Sequence, residues 1–207
     1  MKTKMKQVVL GLFLLLLCTP LAARAREVNI LIVYYSVTGH TRTMAEAVAQ
    51  GAKAVAGTQV TLVPVQDATP VGVVDYDAII LGSPVYNANV APEIQSFINS
   101  WPFRGTPLRD KIGAAFVTAG GISAGEEAVQ LGILHSMLIF GMIVVGGPEW
   151  TSAFGASAVT DEAPFAAASE NGHVAEQFLE KGRKLGQRVA ELAGRLKRRD
   201  KPRPSNR

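Results

Sequence analysis

The sequence predicts a three-layer α/β domain around a five-stranded parallel sheet. Five short apolar, β-branched runs recur between residues 28 and 146, and stretches with helical apolar spacing alternate with them. Strands covered on both faces read as nearly continuous apolar runs, as these do. Parallel neighbours require right-handed crossovers, which lay helices on both sides of the sheet.

The first run, residues 28–35, leads into a helix over 41–56 that carries Met44, Ala45, Val48, Ala52 and Val55 inward and stops at Gly57. Residues 58–65 form the second strand. The third is Ala78-Ile79-Ile80-Leu81-Gly82, followed by a helix over 92–101 with Ile94, Phe97 and Ile98 inward. A fourth strand over 111–117 precedes a helix over 126–140, in which Val129, Ile133, Met137 and Phe140 share one side and Glu126 and Glu127 make a solvated start. Met142-Ile143-Val144-Val145-Gly146 is the fifth strand. A loop of some 20 residues and a closing helix over 172–196 complete the chain. No repeat or linker divides this core.

Composition narrows the function classes. The chain has 207 residues, 48% of them apolar and 18% charged, which is globular rather than disordered or fibrous. A single cysteine, Cys18, permits neither an internal disulfide nor a cysteine zinc cage, and no metal site is expected. The net charge of +4 is misleading. Residues 1–25 hold four basic residues and no acid, and residues 195–207 hold seven against Asp200 alone. Between them, ten basic residues face sixteen acidic ones, so the core is net acidic. A nucleic-acid partner needs basic side chains gathered on the folded face, and none is expected.

The two ends read separately from the domain, residues 26–194. Lys2, Lys4 and Lys6 precede an apolar run over 8–17, Pro20 breaks it, and Ala23-Arg24-Ala25 offers a cleavage site. Residues 1–25 therefore read as a secretory signal, discarding Cys18, or as an uncleaved anchor over 8–22; either places the protein outside the cytoplasm. Residues 195–207 read as a solvated basic tail, with weak contact to anionic lipid as the alternative.

In such a sheet, ligands bind beyond the carboxyl ends of the strands. The first loop there, Ser36, Val37, Thr38, Gly39, His40 and Thr41, has hydroxyls, a glycine turn and a following helix N-terminus, the equipment of a phosphate site. It contains no Lys or Arg and neither the P-loop nor the G-x-G-x-x-G pattern, so it suits a monophosphate held by neutral donors. The bland alternative is a capping loop with Thr41 as N-cap. The second loop, Pro84, Val85, Tyr86 and Asn87 with Asn89, sets one aromatic among amides, as needed to stack on a flat ring and bond its edge. The third, Thr118, Ala119, Gly120 and Gly121, lets backbone approach a planar ligand.

Together these loops resemble the flavodoxin-like FMN proteins, in particular the WrbA-type NAD(P)H:quinone oxidoreductases and the NADPH-dependent FMN reductase-like flavoproteins. The strand entering Ser36-Val37-Thr38-Gly39-His40-Thr41, the stretch Tyr76-Asp77-Ala78-Ile79-Ile80-Leu81-Gly82-Ser83-Pro84 and the segment Phe154-Gly155-Ala156-Ser157 carry the likeness. It implies sheet order 2-1-3-4-5 and noncovalent FMN. The phosphate would lie on residues 36–41, the ring on 85–87, and the pyrimidine edge and ribityl chain on 118–121. It also implies hydride transfer from NADH or NADPH to the flavin and on to a quinone or other small acceptor, with no catalytic side chain required. Trp101 would either wall the quinone pocket of a neighbouring subunit or end its helix in the core. Where the family has His-His-Gly-Met beside the flavin, this chain has Ile139-Phe140-Gly141-Met142, and His135 reads as structural. The segment near 67–72, which helps some members tetramerise, is short here, leaving a dimer or tetramer open. An FMN electron carrier without a nicotinamide site, exported or membrane-tethered, is the rival reading.

Overall fold

A computed structural model describes residues 27–166 and 172–199. The signal or anchor reading of residues 1–25 and the tail beyond Arg199 lie outside the described residues. Strands β1 (Val28–Tyr34), β2 (Thr58–Pro64), β3 (Ala78–Tyr86) and β5 (Ile112–Ala119) are mutually parallel neighbours in the order β2-β1-β3-β5. Counted without the hairpin strand β4 (Asn89–Val90), this is the order expected for the first four positions.

The fifth position is filled differently from the expectation. Strand β6 is only Ile143–Val144, paired with the start of β5, and β7 (Ala156–Val159) pairs with its end. The chain leaves the sheet between them, where Gly146, Gly147 and Pro148 interrupt the apolar run and a 3-10 turn forms at Trp150–Ser152. The 20-residue loop of the sequence reading therefore contains the second half of the fifth strand. The crossover from β2 to β3 is also shorter than a helix, with two 3-10 turns at Val65–Asp67 and Pro70–Asp75.

Helices α1 (His40–Lys53) and α4 (Glu176–Arg199) cover one face of the sheet, enclosing Ile30, Ile32, Met44, Val48, Phe116, Leu185 and Val189. Helices α2 (Pro92–Asn99) and α3 (Glu126–Ile139) cover the other, around Leu31, Val33, Ile79, Leu81, Ile94, Ile133 and Met137. Helix α4 starts four residues later than expected and continues to Arg199, so residues 195–199 belong to the folded unit rather than to a solvated tail. Lys197 is why the helix stays docked: its ammonium donates to Asp77 Oδ2 at 2.6 Å and to the carbonyl of Glu27. Asp77 Oδ2 also accepts the Asn29 amide at 2.8 Å, tying the starts of β1 and β3 to the end of α4.

A second lysine, Lys111, immediately precedes β5. Lys111 Nζ donates to the carbonyls of Val74 (2.8 Å) and Tyr76. Burial, only partly offset by Asp77 and Asp75, holds its ammonium below the usual lysine range. The unfolded chain therefore keeps that proton to higher pH than the folded one, and stability from this group rises as pH climbs through the window below about 10.4. In thermal melts the wild type should gain on Lys111→Met as pH rises through that window. A constant difference between the two would contradict the assignment.

Candidate functional site

The three loops meet where β1, β3 and β5 end. In the first, Gly39 has φ 97° and caps α1 with no side-chain hydrogen bond. An N-cap Thr41 is thereby ruled out; Thr41 is the second residue of the helix and is buried. The amides of Gly39 and Arg42 both point at one oxygen, Ser36 Oγ, at 3.2 and 3.3 Å. Two backbone donors converging on an acceptor at a helix N-terminus is the geometry that an anionic oxygen would use. Thr38 Oγ1 lies 2.9 Å from His40 Nδ1, fixing the imidazole against the loop.

The floor of this loop reaches across the sheet. Thr41 Oγ1 and Thr118 Oγ1 are 2.8 Å apart and buried. Two hydroxyls carry two protons and their mutual bond uses one, so the second remains to be donated. Thr118 and Ala119, expected in the third loop, are the last residues of β5 and are buried. The turn itself starts at the exposed Gly120.

The second loop is a hairpin rather than an open turn. Strand β3 continues through Pro84, Val85 and Tyr86, and Val85 and Tyr86 pair with Val90 and Asn89. Asn87 and Ala88, at φ 51° and 59°, make the two-residue connection with both central residues left-handed, which matches strand twist. Buried Ser83 braces it, accepting the Ala91 amide at 3.0 Å and donating to the Pro84 carbonyl. The tip presents Tyr86 and Asn87 to a cavity of about 490 Å³ that also touches Asn89, Val90 and Pro92. Tyr35 meets Tyr86 edge-on, with ring centroids 6.5 Å apart. The Glu93 carboxylate beside the Tyr35 hydroxyl holds that phenol above its usual range.

Sequence reasoning missed the segment after β7. Glu162 Oε2 accepts the Ile122 amide at 2.6 Å, and Asp161 lies against Gly120. Beyond it, Gly172 (φ 77°) rests on the phosphate loop: a Cβ there would stand 2.8 Å from the Gly39 carbonyl carbon. Thr43 Oγ1 bonds the Gly172 carbonyl at 2.8 Å. The signal available was the alternation of β7 followed by an acidic pair, which a single long loop concealed.

Two expected positions lie elsewhere. Trp101 is 4% exposed, packed edge-on against Phe97 and Phe140 at 5.8 and 5.3 Å. Its indole packs in its own chain's core just past α2, with Nε1 buried and without a hydrogen-bond partner among the described residues. Residues 139–142 sit at the opposite end of the sheet from the three loops, since the Asp110 amide, just before β5, donates to the Gly141 carbonyl at 3.0 Å. His135, expected to be structural, is exposed on α3.

The site fits FMN. It has converging amides and a spare hydroxyl proton for a phosphate and no competing cation within the loop. Each of the three loops also exposes one apolar side chain, Val37 (70%), Tyr86 (40%) and Ile122 (57%), that a flat ring would cover.

Comparison with known proteins gives the family. Residues 71–157 match the family model described as NADPH-dependent FMN reductase, a span that includes the hairpin and the third loop but not the phosphate loop. An NAD(P)H dehydrogenase (quinone) from Azorhizobium caulinodans is 33% identical over 197 residues, 81% of this chain and 98% of the relative. Among solved structures, a flavodoxin, WrbA-like protein from Agrobacterium tumefaciens superposes with a TM-score of 0.65 at 24% identity, over 82% of this chain and 99% of that one. A flavodoxin from the domain Archaea gives 0.61 at 21% identity, over 80% and 98%. Together with the strand order, the 33% identical relative places the chain in the flavodoxin-like NAD(P)H dehydrogenase (quinone) family of oxidoreductases.

Proposed function

We propose that the protein is an FMN-dependent NAD(P)H oxidoreductase that passes two electrons to a quinone. The observation that carries this is the convergence of the Gly39 and Arg42 amides on one oxygen at the start of α1, above the Thr41–Thr118 hydroxyl pair. Ser36, Thr38, Thr41 and the neighbouring amides hold the phosphate, Tyr86 and Asn87 flank the ring, and the backbone of Gly120 and Gly121 admits its edge. When bound, FMN supplies the hydride-accepting centre that no side chain here provides. What the chain contributes is orientation and a site open to solvent on the hairpin side, where a second flat molecule can approach.

Steady-state oxidation of NADH and of NADPH, with and without a benzoquinone, tests the proposal. Turnover that depends on quinone is expected. A flavin that binds but stays oxidised in the presence of both nucleotides would leave only the carrier reading.

Glu162 gives a further expectation. Its carboxylate occupies the Ile122 amide, a donor that the ring's edge would otherwise take. Glu162→Ala should therefore bind FMN about five-fold more tightly, at roughly 1 kcal/mol per hydrogen bond. Flavin-fluorescence titration measures this; weaker binding would mean that the carboxylate holds the loop in shape for the ligand.

A further inference from the structure

The end of the sheet opposite the three loops carries a surface of different character. Between the start of β5, strand β6 and the last turns of α4 lies a groove of about 490 Å³. Ile112, Ile143, Val145, Leu192 and Leu196 form its walls, and Arg195 and Arg198 stand at its rim. The groove exists because β6 has only two residues and leaves this flank of the sheet short of cover. Both arginines are exposed, and among the described residues the ion pair of Arg195 is a 3.9 Å contact with Glu191. Exposed apolar side chains continue around the same end: Phe103 (59%), Leu138 (51%) and Ile139 (72%).

The two ends of the described fold, Glu27 and the last turns of α4, meet here. Lys197 bonds the carbonyl of Glu27, so residues 1–26, with five basic residues, no acid and the apolar run over 8–17, join the fold at this pole. Lys201, Arg203 and Arg207 follow α4 in the sequence. Apolar side chains ringed by cations suit a surface that is hydrocarbon beneath and anionic at its boundary.

We propose that this pole docks on an anionic phospholipid bilayer, with an acyl chain in the groove and its phosphate against Arg195 and Arg198. The orientation leaves the three loops, about 26 Å away at the other end of β5, facing solvent and free to exchange small substrates. The groove's other candidate occupants are less suited to its rim. The chain's own apolar run is flanked only by bases and brings no counter-charge. A second copy packed symmetrically would oppose the same arginines. This inference does not depend on the flavin reading.

The test uses the full chain carrying Cys18→Ser and Ile143→Cys, labelled at position 143 with a polarity-sensitive fluorophore. Phosphatidylcholine vesicles doped with phosphatidylglycerol should shift its emission to the blue, pure phosphatidylcholine should not, and added salt should reverse the shift. Arg195→Glu with Arg198→Glu should weaken the anionic-lipid response about 30-fold or more, at roughly 1 kcal/mol per basic residue. Lys181→Glu with Lys184→Glu, the same charge change higher on α4, should leave it intact. Unchanged thermal midpoints establish folding, and Arg195→Gln with Arg198→Gln replaces the reversal if it unfolds. Four results would overturn the proposal. They are no shift with either vesicle, an equal shift with both, emission already blue before lipid is added (the chain's own segment), or a shift that follows protein concentration alone (a second copy).

Discussion

Gly51→Val and Gly186→Val should each cost the fold about 3 kcal/mol or more, the upper range for overpacking a filled site. Helices α1 and α4 cross with their backbones in contact at these two residues. A Cβ on Gly51 would stand 1.9 Å from the Arg183 carbonyl oxygen, and one on Gly186 would stand 1.9 Å from that of Val48. No rotamer relieves a clash with backbone, so the helices must separate, and that separation opens the core around Met44, Val48, Leu185 and Val189. A mid-helix glycine costs roughly 1 kcal/mol relative to alanine, so the close approach is what offsets this. Urea unfolding measures the loss. The double variant should lose less than the sum, because one separation makes room for both side chains. Full additivity, or losses under about 1 kcal/mol, would show that the helices do not cross as described.

Thr38→Ala combined with Thr41→Ala should weaken FMN binding by about 2 kcal/mol, roughly 30-fold, from two lost hydroxyl donors. The two changes act by different routes. Thr41→Ala removes a hydroxyl and unpairs Thr118, whose proton can then turn to the ligand and recover part of the loss. Thr38→Ala removes the 2.9 Å contact between Thr38 Oγ1 and His40 Nδ1 and loosens the loop. Thr118→Ala alone should therefore cost less than Thr38→Ala. Calorimetric titration of the apoprotein with FMN ranks the three, and unchanged affinity in the double variant would count heavily against the phosphate assignment.

Most of the sheet was legible because burial on both faces leaves one kind of sequence. Val28–Tyr34 and Ile112–Ala119 could hardly be anything else. The phosphate loop was legible because its residue types, hydroxyls and one glycine, are required by local geometry. What could not be read was set by contacts distant in sequence. The second half of the fifth strand, Ala156–Val159, is four small residues whose strand identity comes from pairing with β5. The hairpin tip looked like a polar turn because Asn87-Ala88 lacks the glycine usual at its second position. Thr118 looked like a loop residue because nothing local says that its partner is Thr41, 77 positions away. Trp101 was open between core and pocket until Phe97 and Phe140 were found against it. The basic end of α4 read as tail because its charges are many, and Asp77, which holds Lys197, is remote.

The most direct test of the account is a crystal structure of the protein loaded with FMN. The account predicts the phosphate seated over the start of α1, within hydrogen-bond reach of the Gly39 and Arg42 amides, with Ser36 Oγ displaced from between them and a hydroxyl of the Thr41–Thr118 pair turned to a phosphate oxygen. Flavin density anywhere else, with Ser36 Oγ still holding both amides, would contradict it.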